Sequence, residues 1–237
     1  AKSDPDFLTQ LISTIQNTVQ VPLSFDYPDV AVQRHCLSLY KPEIAGGKPF
    51  VNSISELRWN MCEVLKDHPC RIILMASERN VNGQKVANHT ADEVYETALR
   101  MTQRVLAEYP SVSRNDLYID VSVGPVAADM EGLTTMAVQA IRKIGASPDL
   151  KGVHLSVGLT NLSIMLPAKT PDGLPLKELL ESAFLSNTVP YGLDTIIGTA
   201  GRNYQLLADD NPILKGFNEF LQLSDVEALQ RIQDLYQ

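Results

Sequence analysis

Several features that mark common activities are scarce or missing. No GxGxxG or Walker glycine loop follows any predicted strand, which weakens a nucleotide-binding sheet. The three cysteines, Cys36, Cys62 and Cys70, form no CxxC pair and no zinc spacing, and no His/Cys set suggests a metal site. They read as reduced, mostly buried thiols of a cytoplasmic protein. Positive charge is short: 20 Lys and Arg against 28 Asp and Glu leave a formal net charge of −8. No Lys/Arg cluster supplies a footprint for nucleic acid. No apolar run is long enough to span a bilayer, and no signal-peptide pattern occurs. Without that signal, the sequons at Asn88-His89-Thr90 and Asn161-Leu162-Ser163 count as accidental. No GxSxG or other nucleophile motif accompanies the histidines, so His35, His68, His89 and His154 read as packing or surface residues.

What is present is alternation. The 237 residues, 44% hydrophobic, suit one large domain over 1–237. Asp4 and Pro5 open a helix whose apolar face is Phe7, Leu8, Leu11, Ile12, Ile15 and Val19. A strand over 21–26 ends at Asp26, and a helix follows over 30–40. A strand over 49–52 ends at Asn52, before a helix over 56–66 with Leu57, Met61, Val64 and Leu65 inward. Arg71 to Ala76 reads as a strand buried on both faces, as parallel sheets require, and 77–89 as a polar loop. Thr90 and Glu93 form a capping box for the next helix. Leu117 to Asp120 is a strand, Asp129 to about Lys143 a helix, and Val153 to Val157 a strand alternating with His154 and Ser156. That strand breaks at Gly158 into Thr160, Asn161, Leu162 and Ser163. A helix over 176–189, a strand over 193–197 and a C-terminal helix over about 224–236, opened by a Ser224/Glu227 capping box, complete the chain. Alternating strands and helices predict a parallel sheet with right-handed crossovers, either doubly wound or most of an eight-stranded barrel.

In a barrel every parallel strand ends on one face. That face would gather Asp26, Asn52, Asp120 and Asn161. Two carboxylates and two carboxamides suit a flat heterocycle that offers several N–H donors and ring-nitrogen acceptors, because carboxylates accept paired N–H groups and amides both donate and accept. The competing view is that each acid merely caps the helix after its strand. Lys169 and Arg202 lie in loops after strands and are candidates for a substrate carboxylate, with surface charge as the default.

At these positions the sequence resembles the pterin-binding methyltransferases. The motifs are Pro22-Leu-Ser-Phe-Asp26, Val51-Asn52-Ser-Ile-Ser-Glu56, Tyr118-Ile-Asp120, Gly158-Leu-Thr-Asn161-Leu-Ser163, and Phe184-Leu185 with Gly192-Leu-Asp194-Thr-Ile-Ile197. They fall in order over 21–197 and look like the strand ends of methyltetrahydrofolate:corrinoid protein methyltransferases and of the folate domain of cobalamin-dependent methionine synthase. The resemblance implies an α/β fold of the TIM-type (β/α)8 barrel class. On that alignment, the family's first β/α unit and second strand fall outside the sequence. It implies tetrahydrofolate or 5-methyltetrahydrofolate as substrate, with the pterin held by Asp26, Asn52, Asp120, Gly158, Asn161 and Ser163. Asn161 would act catalytically at N5. The methyl group would move to or from the cobalt of a corrinoid (cobalamin) carried by a partner protein, since no DxHxxG signature occurs. The loops 77–89 and 165–175 are candidate contacts for that partner, and a homodimer is a family expectation. Dihydropteroate synthase shares the pocket but would place Ser-Arg-Lys after the seventh strand and Asp-Pro-Gly after the sixth. Here those positions read Thr160-Asn161-Leu162 and Asp120-Val121-Ser122. The family often has Gln or Phe where Ile164 stands. A folate-binding module without turnover and a scaffold with no pterin binding remain open.

Overall fold

The computed structural model of the chain describes residues 3–236. Helix α1 (Pro5–Thr18) starts as its sequence dictates: the Asp4 carboxylate accepts from the Asp6 and Phe7 N–H groups at 2.9 and 3.2 Å. Pro5 fills the first turn, where no N–H partner is needed. Strand β1 (Ser24–Asp26) leads to α2 (Val30–Leu39), capped by Asp29, and then to a single turn, α3 (Pro42–Ala45). Strand β2 (Phe50–Ile54) follows. The expected α-helix over 56–66 is 3₁₀ instead, broken at Arg58 (φ −115°, ψ 36°). Ser55 gives it no side-chain cap, and Leu57 turns outward rather than inward.

After β3 (Arg71–Met75), the expected polar loop is an antiparallel hairpin, β4 (Glu78–Val81) and β5 (Gln84–Ala87). Its corner is Asn82–Gly83, both with positive φ (52° and 82°), the pair that tight two-residue hairpins favour. Helix α4 (Ala91–Glu108) opens with the expected Thr90/Glu93 capping box and buries Val94, Ala98, Met101 and Val105. Strand β6 (Leu117–Asp120) precedes α5 (Leu133–Gly145). That helix begins later than Asp129, whose carboxylate instead accepts from the Leu133 and Thr134 N–H groups at 2.8 and 2.7 Å. Then come β7 (His154–Val157), α6 (Leu176–Thr188), β8 (Leu193–Ile196), α7 (Pro212–Phe220) and α8 (Asp225–Gln233). Helix α7, opened by the Asn211 side chain accepting the Ile213 and Leu214 N–H groups, lies where the sequence analysis assigns no element. At α8 the Ser224 side chain makes no capping bond; Asp225 enters at φ +50°, which breaks the geometry of a capping box.

The main sheet runs β1-β2-β3-β6-β7-β8, all parallel. Strand order never reverses, which is barrel winding; a doubly wound sheet needs a switch point. Among the described residues β1 and β8 are the two edges, so the sheet is a curled, open half-barrel and not a closed barrel. Val51, Ile72, Leu74, Leu117, Ile119, Leu155 and Val157 are buried in the main core. Their alternates face the other side. There the Arg71 guanidinium sits 5.3 Å over the Phe50 ring, Phe50 lies 4.8 Å from Tyr118, and Tyr118 stacks on His154 at 4.4 Å. Phe50 and Tyr118 meet across the intervening β3, as an inward-curled face allows.

The α5 end makes one tight approach. A Cβ on Gly145 would stand 1.9 Å from the Tyr191 carbonyl oxygen, a backbone atom. Gly145→Ala is expected to lower stability by about 2 kcal/mol in urea denaturation, within the usual range for overpacking. Gly124→Ala, with open space around it, is expected to leave stability unchanged.

Candidate functional site at the carboxyl ends of the strands

Two residues beyond the aromatic layer, the same alternation brings polar groups to the concave face. Pairing registers Asp26 with Asn52, Met75 with Asp120, and Asp120 with Ser156. The strand ends of β1, β2, β6 and β7 therefore carry Asp26, Asn52, Asp120 and Ser156 on one side of the sheet. Phe25 packs edge-on against Tyr40 near the α2 end, which leaves Asp26 for the opposite side. Asp26 is exposed, Asn52 half-buried and Asp120 buried. The Asn52–Ser53 peptide is cis.

Helix capping does not account for these acids. Asp29 caps α2, and Asp129 holds the start of α5. Asp120 instead accepts the Ser122 N–H at 2.7 Å, with Ser122 held at φ 59°. That short turn aims the carboxyl back over its own strand end. Burial pushes the Asp120 carboxyl up to about 6, with the Ser122 N–H and the nearby Ser156 hydroxyl pulling the other way. The Ser156 hydroxyl is buried and makes no hydrogen bond of normal geometry. A buried carboxyl with a raised pKa, served by only one backbone N–H and a neighbouring hydroxyl, is a place where a ligand's donors are wanted.

The β7 loop carries the other expected residues. Asn161 is exposed at the end of a 3₁₀ turn, and its N–H donates to the Gly158 carbonyl at 3.0 Å. Its side-chain nitrogen folds over Gly158, to within 2.9 Å of where a Cβ on that glycine would stand. Only a glycine leaves the amide that position. Ser163 behaves differently. It is fully buried, and its hydroxyl donates to Glu181 on α6 instead of opening to the strand-end face. Arg202 is paired with the same Glu181 and so is not a free cation for a substrate carboxylate. Lys169 is exposed and forms no ion pair among the described residues.

Ser156 was visible in the sequence only as an alternate of β7, and nothing but the register to Asp120 gives it meaning. Glu181 lies mid-helix among apolar residues and gave no signal. His89 pairs with Glu131 at 3.3 Å beside the site, and His154 is held by Asp194 at 2.6 Å at the other end of the strands. An apolar hollow of about 300 Å³ lies between α1, α2 and β1, and touches the strand-end set at Asp26 alone. The described residues contain no cluster of His, Cys, Asp and Glu able to hold a metal, and no helix long and apolar enough to cross a membrane.

The Asp120 pKa has a stability consequence. A folded-state value above the ordinary 3.8 means that the folded protein favours the protonated carboxyl. That stabilisation is complete below the ordinary value and is lost as pH rises through about 6. Asp120→Asn, isosteric and neutral, is therefore expected to be more stable than the unmodified protein at pH 8, by about 3 kcal/mol. The gap is expected to narrow between pH 6 and 4 in urea titrations, because both chains are then neutral at this position.

The pattern of the family described as pterin binding enzyme matches residues 2–197, all six strands of the main sheet included, and the chain belongs to that family.

Proposed function

We propose that this chain is a methyltransferase that moves a methyl group between N5 of tetrahydrofolate and the cobalt of a corrinoid held by a separate protein. The observation that carries this reading is the β7 end, where the side chain standing over Gly158 is a neutral amide, Asn161. Arg202, which reaches the Ser163 hydroxyl of the same loop, is paired with the buried Glu181, and Lys169 is exposed. A dihydropteroate synthase-like enzyme would be expected to carry basic residues there. Asp120 followed by Val121 and Ser122, instead of Pro and Gly, departs from that enzyme in the same direction.

The residues fit a reduced pterin. Asp120 accepts the paired ring N–H and exocyclic amine, Asn52 serves as donor and acceptor together, and Asp26 closes the polar edge. Ser156 pairs with Asp120 in register across β6 and β7, and its hydroxyl lies beside that carboxyl. Pterin donors favour the ionised carboxylate, so binding releases the Asp120 proton below pH 6. The corrinoid supplies a nucleophilic Co(I) as methyl acceptor. As the C–N5 bond breaks, its electron pair stays on N5, which must gain a proton or a strong hydrogen bond. Asn161 donates that bond, and it strengthens as charge moves onto N5, which is stabilisation of the transition state above the ground state. Asn161 is exposed, as a group meeting a partner-borne acceptor must be.

Asn161→Ala is expected to lower single-turnover methyl transfer to free cob(I)alamin by on the order of 10²-fold while pterin affinity changes little. Absorbance of the cobalt follows the rate, and calorimetry the affinity. Equal losses in both would contradict the role of Asn161, and no transfer by the unmodified protein would contradict the methyltransferase.

A further inference from the structure

The segment after β8 runs along α6 in a regular way. Glu178, Ser182 and Ser186, four residues apart on that helix, accept the N–H groups of Asn203, Gln205 and Leu207 at 3.2, 3.3 and 2.8 Å. The spacings match: four helical residues rise about 6 Å, and two extended residues span about 6.6 Å. One row of α6 side chains thus zips every second residue of the strap. Tyr204 adds a second hold, its hydroxyl accepting the Thr199 N–H at 3.1 Å.

The strap delivers Arg202 inward. Its guanidinium pairs with Glu181, which is fully buried, and also reaches the Ser163 hydroxyl at 3.3 Å. Ser163 donates in turn to the same Glu181 oxygen. The second Glu181 oxygen is buried with no partner, so without Arg202 this charge would be uncompensated. Ser163 follows Asn161 by one residue, Leu162, which is itself buried and whose carbonyl accepts the Val126 N–H at 2.9 Å. The loop bearing Asn161 is therefore held from two sides, by the β6 loop through Leu162 and by the strap through Ser163.

We infer that Ser163, Glu181 and Arg202 form a latch by which the strap after β8 positions Asn161, so that Glu181 and Arg202 are positioning residues for the reaction at the β7 end. The inference rests on the methyl-transfer reading for its rate consequence and on the geometry alone for its mechanical one. A latch is a costlier device than packing needs: an apolar trio would fill the same space without burying a charge. It is suited to holding a side chain that is exposed and has few contacts of its own.

Two variants test it without leaving a lone buried charge: Ser163→Ala, and the double variant Glu181→Gln with Arg202→Met. Both are expected to lose roughly tenfold or more in single-turnover transfer to cob(I)alamin, since small misplacement of a reacting group is enough for that. Methyltetrahydrofolate affinity should stay within about twofold, because a positioning role leaves ring binding to other residues. Arg202→Lys, which keeps the cation, should retain most of the rate. An unchanged rate, or an affinity loss that parallels the rate loss, would overturn the latch. Hydrogen exchange of the ligand-free protein separates the latch from the methyl-transfer reading. Exchange over residues 159–166 is expected to quicken in both variants, whether or not the protein transfers methyl groups. Unchanged exchange would overturn the latch by itself, whereas quickened exchange in a protein without transferase activity would remove only the functional reading.

Discussion

Each short parallel strand of the main sheet has two sides, and helices cover only one of them. That side takes the apolar alternates, Val51, Ile72 and Leu74, Leu117 and Ile119, Leu155 and Val157, all packed into one core. The other alternates face the hollow of a curled sheet. Because all six strands are parallel and follow one another in order, the alternates nearest the carboxyl ends come together without any special loop. Asp26, Asn52, Asp120 and Ser156 share a face for the same reason that their neighbours are core. The site is the complement of the core pattern, and a one-residue slip in any strand would exchange the two.

Local devices then set the electrostatics. Capping is delegated to other acids, Asp29 for α2 and Asp129 for α5, which leaves the strand-end carboxyls for the concave face. The turn at Ser122 bends the Asp120 carboxyl over its strand, where burial favours the protonated form. A group in that state is ready to exchange its proton for a ligand's hydrogen bonds. At β7 the glycine at 158 gives the Asn161 amide its place, and the buried trio of Ser163, Glu181 and Arg202 fixes the loop beyond it.

The sequence makes some of this legible and hides the rest for physical reasons. Strand β7 shows because its residues alternate, β6 because a short apolar run stops at an acid, and α4 because a capping box is a local signal. The hairpin β4–β5 is marked by Asn82-Gly83 alone, since a polar surface ribbon has no flanking apolar alternation to turn that local signal into a strand pair. The 3₁₀ stretch over 56–66 has helical spacing but breaks at Arg58, and Ser55 gives it no cap. Candidate residues at strand ends are legible one at a time. Which of them meet depends on register, and register is a tertiary fact: it promotes Ser156 and leaves Ser163 bound to Glu181.

The proposed pterin site stands or falls on Asp120 as the main acceptor of the concave strand-end face. Calorimetric titration with methyltetrahydrofolate, on the unmodified protein and on Asp120→Ala, at pH values on both sides of 6, tests it most directly. Micromolar binding is expected at pH 7.5, weakening as the solution is taken below about 6 and abolished by Asp120→Ala. Absence of binding at every pH, or binding that survives Asp120→Ala unchanged, would contradict it.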